Sequence, residues 1–244
     1  MDILQTGLFY SLKFTEQWHA IAVYVVFILL TVAVSYLLGS VNTAIIVSKV
    51  LYKEDIRKYG SGNAGLTNIL RTYGKGAAAL TLFGDMLKTA LAILFSAFLF
   101  GFYYKDGISL SEGYCYMAGL FAVIGHVFPI FYGFKGGKGV LATATMALIL
   151  TPVPFAILLA LFIIIVAISG YVSLGSVTVA TLYPVMVHFY VSYRFEMPLY
   201  GITALCTILL AIFVVWCHRE NLKRIGNRTE RKISIGSKKK DKDE

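Results

Sequence analysis

Residues 60–76 read GSGNAGLTNILRTYGKG, a polar stretch standing between two long apolar segments. Its residue types suit the holding of an anion. Gly60, Gly62 and Gly65 let a backbone turn and approach a ligand closely. A helix starting near Ala64 would take Asn63 as its N-cap and place Asn63, Thr67 and Arg71 at i, i+4 and i+8, on one face. Ser61 and Asn68 add polar groups beside them. Free N–H groups at a helix start, hydroxyl and amide donors, and a guanidinium one turn further on form a phosphate cradle. The plain alternative is a solvated loop that ends a membrane helix and carries orienting charges.

Four other polar clusters carry chemistry. The turn GFKGGKG at 133–139 sets Lys135 and Lys138 among Gly136, Gly137 and Gly139, ammonium groups on a flexible backbone that suit a phosphate or acyl-phosphate anion. The glycine spacing is not that of a Walker A loop. His126 precedes it, a candidate base or positioning donor. In SLGS, Ser173 and Ser176 either cap the helix that follows or donate to a phosphate at its start. HREN offers His218, Glu220 and Asn221. No GxSxG elbow, HxxxxD pair, HExxH motif or Cys/His metal set is present, and no metal or cofactor is called for. Cys115, Cys206 and Cys217 lie in or beside apolar runs, odd in number and without CxxC spacing.

The elements that position these clusters follow from composition. The 244 residues are 58% hydrophobic and 14% charged, against about 25% charged for a soluble domain. The apolar residues come in runs long enough to cross a bilayer. The reading is an all-α, polytopic integral membrane helix bundle, with about seven spans at 20–51, 77–103, 112–132, 140–150, 155–171, 177–193 and 199–217. Residues 1–19 form an N-terminal extension, a candidate interfacial helix; 20–225 form one transmembrane domain; 226–244 form a basic tail. Asp85 and Lys88, i, i+3 neighbours inside the second span, read as a structural ion pair. The net charge of +9 sits mostly in loops and tail, which points to membrane lipid and not to nucleic acid. Five Lys/Arg in the first loop, two in the GFKGGKG turn and ten in the tail fall on one side, so the C-terminus is placed in the cytoplasm and the N-terminus outside. Every unusual polar cluster then lands on the cytoplasmic face. A transporter or channel for phosphate-bearing solutes is the alternative, but it predicts polar groups at mid-depth and pseudo-symmetric halves, and no repeat is evident.

SGNAGLTNILR (61–71), FGDMLK (83–88), GHVFPIFYGFKGGKG (125–139), SLGS (173–176) and HRENLKRI (218–225) together resemble the bacterial acyl-phosphate-dependent glycerol-3-phosphate acyltransferases, the small integral-membrane PlsY family. The match runs in the family's order over nearly the whole chain after residue 20. Residues 1–19 look like an extension, and the stretch 188–200 looks longer than usual. The resemblance implies transfer of an acyl chain from acyl phosphate to the 1-hydroxyl of glycerol 3-phosphate, giving lysophosphatidate and inorganic phosphate, in a bacterial plasma membrane with the site facing the cytoplasm. The enzyme that forms acyl phosphate stands as a candidate transient partner. On this reading His126 and Asn221 orient the glycerol hydroxyls. Ser61, Gly62, Asn63, Thr67, Asn68, Arg71, Lys135, Gly136, Gly137, Lys138, Ser173, Ser176 and His218 form the substrate-binding set. The base is a phosphate oxygen of the donor, with His126 as the runner-up.

Overall fold

A computed structural model of the chain describes residues 7–9, 11–101, 110–195 and 201–233. Parts of the N-terminal extension, the stretch 188–200 and the tail named above lie outside these residues. Within them the elements are helices: α1 (Gln17–Ser40), α2 (Thr43–Tyr52), α3 (Leu66–Phe100), α4 (Leu110–Val127), α5 (Val140–Leu150), α6 (Pro152–Ser169), α7 (Val172–Phe195), α8 (Gly201–Cys217) and α9 (Arg219–Gly226). The expected all-α membrane bundle is the observed architecture. Five stretches are long and apolar enough to cross a bilayer, and α8 with α9, bent by 52°, makes a sixth. The expected fourth span, α5, has 11 residues. At 1.5 Å per residue it reaches about 16 Å, half a hydrocarbon core. It stops at Thr151 because Pro152 lacks the N–H that would continue it and instead opens α6 as an N-terminal proline.

The first apolar run is two helices, not one. The chain leaves helical geometry at Val41, and Asn42 caps α2 by accepting from the Ile45 N–H at 3.0 Å. The Asn42 amide also donates to the Ala64 carbonyl at 3.3 Å, which ties this break to the first polar loop. α1 packs against α4 at backbone distance. A Cβ on Gly39 would lie 2.2 Å from the Ala122 carbonyl oxygen, so only glycine fits there.

α3 starts earlier than the second span drawn from hydropathy, at Leu66, and leaves helical geometry at Gly74 (φ 83°) before its membrane portion. Its first residues therefore project from the bundle end and carry Thr67 and Arg71. The main core joins α3 to α8 through Ile93, Tyr116, Met146, Leu158, Tyr183 and Leu210. A smaller cluster around Ile45, Ile56 and Ile69 holds the polar loops against α2 and α3.

Candidate functional site

The two glycine-rich loops are built as one unit. Arg57 forms a two-pronged pair with Asp55, Nε to Oδ1 at 3.0 Å and Nη2 to Oδ2 at 2.7 Å. Its Nη1 donates to the Tyr132 carbonyl at 2.8 Å and the Lys135 carbonyl at 3.2 Å. Arg57 thereby stitches the loop before α3 to the turn before α5. The Ala64 N–H donates to the Gly136 carbonyl at 3.4 Å. The turn folds back on the end of α4: the Gly136 N–H donates to the Val127 carbonyl and the Gly137 N–H to the His126 carbonyl, both at 3.1 Å. That approach needs glycine. A Cβ at 136 would sit 2.0 Å from the His126 carbonyl oxygen, and one at 137 would sit 2.0 Å from His126 Nε2.

Asn63 is not the cap of α3. Gly65 occupies that place, with no side-chain cap. The amide that reaches back is Asn68, whose Nδ2 meets the Ile56, Tyr59 and Asn63 carbonyls at 3.3, 3.0 and 3.0 Å and whose Oδ1 accepts from the Ser61 N–H at 3.0 Å. Asn68 is spent on holding the loop, and the start of α3 is left open.

A cavity of about 630 Å³ lies between these loops, α5, α6, α7 and the chain end. Ser61, Asn63, Thr67, Asn68, Arg71, His126, Lys138, Ser173, Ser176, His218 and Asn221 all line it, residues spread over 160 positions of sequence. Four expected members do not line it. Gly62 shapes the first loop with φ +71°, Gly136 and Gly137 form the packing turn, and Lys135 is exposed outside the cavity. The turn's one side chain at the cavity is therefore Lys138, because the backbone pairing of Gly136 and Gly137 onto α4 directs position 135 away.

One wall is polar and networked. Lys138 Nζ donates to Asn221 Oδ1. Asn221 Nδ2 donates to Ser173 Oγ at 3.0 Å and to Glu230 Oε1 at 2.6 Å, and Ser173 Oγ donates to the same carboxylate at 2.6 Å. Arg224 Nε completes it on Glu230 Oε2 at 2.7 Å. Ser173 and Ser176 cap nothing: Ser176 Oγ bonds the Val172 carbonyl one turn back. Glu230 belongs to the stretch read from sequence as tail. Residues beyond α9 instead return to the cavity, where the Arg231 carbonyl accepts from Arg71 Nη2 at 3.3 Å and the Ile233 N–H donates to the Gly170 carbonyl at 2.8 Å. Nothing in the composition of a Lys/Arg-rich terminus signals that return.

Charge on this wall is unbalanced. Arg71, Lys138 and Arg231 line the cavity, and among the described residues none of them forms an ion pair. Burial, and then the neighbouring Arg231, pull Arg71 below the ordinary guanidinium value. Burial pushes Lys138 down to about 8, against the pull of Glu230. Burial would by itself raise Glu230, but hydrogen bonds from Ser173, Asn221 and Arg224 outweigh it and hold the carboxyl below its ordinary value. Arg71, Lys138, Arg224 and Arg231 thus share the lining with the Glu230 carboxylate, an excess of cations that favours an incoming anion. α5, α6 and α7 also contribute apolar side chains to the lining, Leu141, Phe155, Leu158, Phe162 and Val179.

The fold and cavity define an integral membrane protein whose site presents cationic and hydrogen-bonding groups together with apolar side chains, the combination that an amphiphile with an anionic head requires. The family model described as glycerol-3-phosphate acyltransferase matches residues 29–228, and the chain belongs to that family, in its PlsY form. The glycerol-3-phosphate acyltransferase of Syntrophomonas wolfei is 43% identical over 199 residues, 82% of this chain and 93% of that one. That of Alkaliphilus metalliredigens is 40% identical over 205 residues, 84% of this chain and 95% of that one. Crystal structures of PlsY, an integral membrane glycerol 3-phosphate acyltransferase, superpose with TM-scores of 0.70 for its glycerol 3-phosphate form and 0.69 for its lysophosphatidic acid form. They are 28% and 27% identical, and each covers 85% of this chain, with 96% and 95% of the solved chain covered.

Proposed function

We propose that this chain transfers an acyl group from acyl phosphate to the 1-hydroxyl of glycerol 3-phosphate, releasing lysophosphatidate and inorganic phosphate at the cytoplasmic face of a bacterial plasma membrane. The observation that carries the reading is the cavity's lining: an excess of cations, Arg71, Lys138, Arg224 and Arg231 against Glu230, together with apolar side chains from α5, α6 and α7. Phosphate groups take the first and the acyl chain the second. The open start of α3 adds backbone N–H groups beside Thr67 and Ser61.

The chemistry asks little of the protein besides placement. The glycerol oxygen forms a bond to the acyl carbon, and the bond from that carbon to the phosphate oxygen breaks with its electron pair on phosphate. The hydroxyl proton passes to a phosphate oxygen of the donor. An acyl phosphate is already activated, so the chemistry needs no acyl-enzyme nucleophile. Of the two lysines that the sequence reading gave to substrate binding, Lys138 is the one that lines the cavity.

The test is phosphate release from palmitoyl phosphate by the purified, lipid-reconstituted protein, with and without glycerol 3-phosphate, alongside palmitoyl-CoA as donor. The reading expects release that depends on glycerol 3-phosphate and yields lysophosphatidate, and none from the thioester. Equal use of palmitoyl-CoA refutes the donor assignment. No transfer from either donor in a folded sample refutes the enzyme reading. In Arg71→Ala, the KM for glycerol 3-phosphate should rise at least tenfold, the cost of about one charge-assisted hydrogen bond.

A further inference from the structure

Lys88 of α3 meets three groups, and two of the residues concerned, Asp85 and His126, line the cavity. Its Nζ lies 2.8 Å from the Val41 carbonyl oxygen, 2.9 Å from Asp85 Oδ1 and 3.0 Å from His126 Nδ1. All three side chains are buried. Beside the Asp85 carboxylate, Lys88 is an ammonium, with three N–H donors and no lone pair. The ammonium donates to the Val41 carbonyl and can meet the imidazole only as a donor, so Nδ1 carries no hydrogen. The neutral ring then holds its proton on Nε2.

That nitrogen is on the far edge of the ring, against the Gly137 backbone, where a Cβ would come within 2.0 Å of it. Among the described residues it has no protein hydrogen-bond partner, and His126 lines the cavity. The lone pair that a base needs lies on Nδ1 and is aimed at Lys88, not at substrate. His218, on the same cavity, is set the opposite way. Its Nδ1 lies 2.8 Å from the Val214 carbonyl, which can only accept, so Nδ1 bears the proton and Nε2 keeps its lone pair. The charged groups facing His126 are Lys88 and Asp85, whose Oδ1 is 3.8 Å from Nδ1.

We infer that Lys88 is a positioning residue for acyl transfer: by donating to Nδ1 it fixes His126 as an Nε2–H donor to a substrate oxygen and leaves His218 as the imidazole that accepts. The inference rests on the acyltransferase reading for its substrate, but not for its tautomers. It also assigns the ion pair a task beyond bundle structure. His126 does not remove the hydroxyl proton, because the nitrogen it presents already carries one.

The deciding experiment is nitrogen NMR of the full chain in lipid at neutral pH, with all four histidines 15N-labelled and the signals of His126 and His218 assigned by their loss in His126→Gln and His218→Gln. The expected spectrum has His126 protonated on Nε2 and bare on Nδ1, with His218 the reverse. His126 protonated on Nδ1, or on both nitrogens, overturns the inference, and it is read on the wild-type chain, the two Gln variants serving only to assign the signals. In turnover, His126→Gln, whose amide keeps a donor, should retain at least about tenfold more kcat than His126→Ala. Equal loss in both overturns the donor role. Lys88→Met should release the tautomer and lower kcat about tenfold or more, with a smaller change in KM. Retained wild-type kcat refutes the positioning role. Failure of the underlying reading looks different: the tautomers stand, but wild-type protein transfers no acyl group.

Discussion

Lys138 gives the site an alkaline limit. In the unliganded protein, burial drives its ammonium down to about 8, although Glu230 favours the charged form. The sign follows from the direction of the shift: the cation is present below about 8 and lost above it. If Lys138 holds a substrate phosphate, kcat/KM for glycerol 3-phosphate, which reports the free enzyme, stays level between about pH 7 and 7.5 and then falls. At pH 9 about one Lys138 in ten remains charged, so kcat/KM should drop about tenfold and continue down tenfold per pH unit. Lys138→Arg keeps a cation whose charge persists through this range and should remove the limb. Lys138→Met should lose about tenfold to a hundredfold in kcat/KM near pH 7, the worth of a charge-assisted hydrogen bond, and show no limb. The assay is initial-rate phosphate release across pH 6.5–9.5, corrected at each pH for spontaneous hydrolysis of the donor. A profile level through pH 9.5, or a limb that survives in Lys138→Arg, refutes the argument.

Three further outcomes follow from the same contacts. Glu230→Gln keeps an acceptor for Ser173 and Asn221 but removes the carboxylate that favours charged Lys138, so the alkaline limb should move to lower pH; an unmoved limb in the pH profile counts against the electrostatic link. Asn68→Ala strips the first loop of its hydrogen bonds to Ser61, Ile56, Tyr59 and Asn63, and should cost about 1–3 kcal/mol in thermal unfolding with a raised KM. Gly39→Val presses a side chain onto the Ala122 backbone and should destabilise by about 1–3 kcal/mol, read as a lower melting temperature with kcat little changed in the protein that remains folded.

What sequence discloses here divides by the range of the interaction involved. Apolar runs announce membrane helices because the bilayer imposes length and composition on each segment separately. Turn chemistry is likewise local, and the two glycine loops are recognisable before they are seen together. Their joint construction is not local. It depends on Arg57, a residue that hydropathy counts only as one of five loop cations, reaching two carbonyls some 75 positions away. The same limit explains Lys135 and Lys138, which look equivalent in GFKGGKG. The distinction is made when Gly136 and Gly137 pair with the end of α4, since a strand-like turn pinned at two adjacent residues sends its flanking side chains in different directions. Helix ends are misjudged for a related reason. Asn63 has the right chemistry for a cap, but Asn68 competes for the same stretch of backbone and satisfies four groups at once, and the cap passes to Gly65.

Glu230 is the extreme case, and it bears on how the site works. Sequence composition places it in a basic, solvated terminus, whereas its carboxylate accepts from Ser173 and Asn221 in the cavity wall. An anion from the chain is thus bonded to groups read as binding the anion of the substrate. Both cannot use the same Ser173 hydrogen at once, since a hydroxyl has a single donor. Substrate entry must therefore either move Glu230 or leave Ser173 as an acceptor that orients Asn221, with Arg71, Lys138 and Arg231 meeting the phosphate. The two routes separate in Ser173→Ala. If Glu230 leaves, that variant loses a donor to phosphate and its KM for glycerol 3-phosphate rises about tenfold; if Glu230 stays, Asn221 keeps its bond to Glu230 and KM changes about twofold or less.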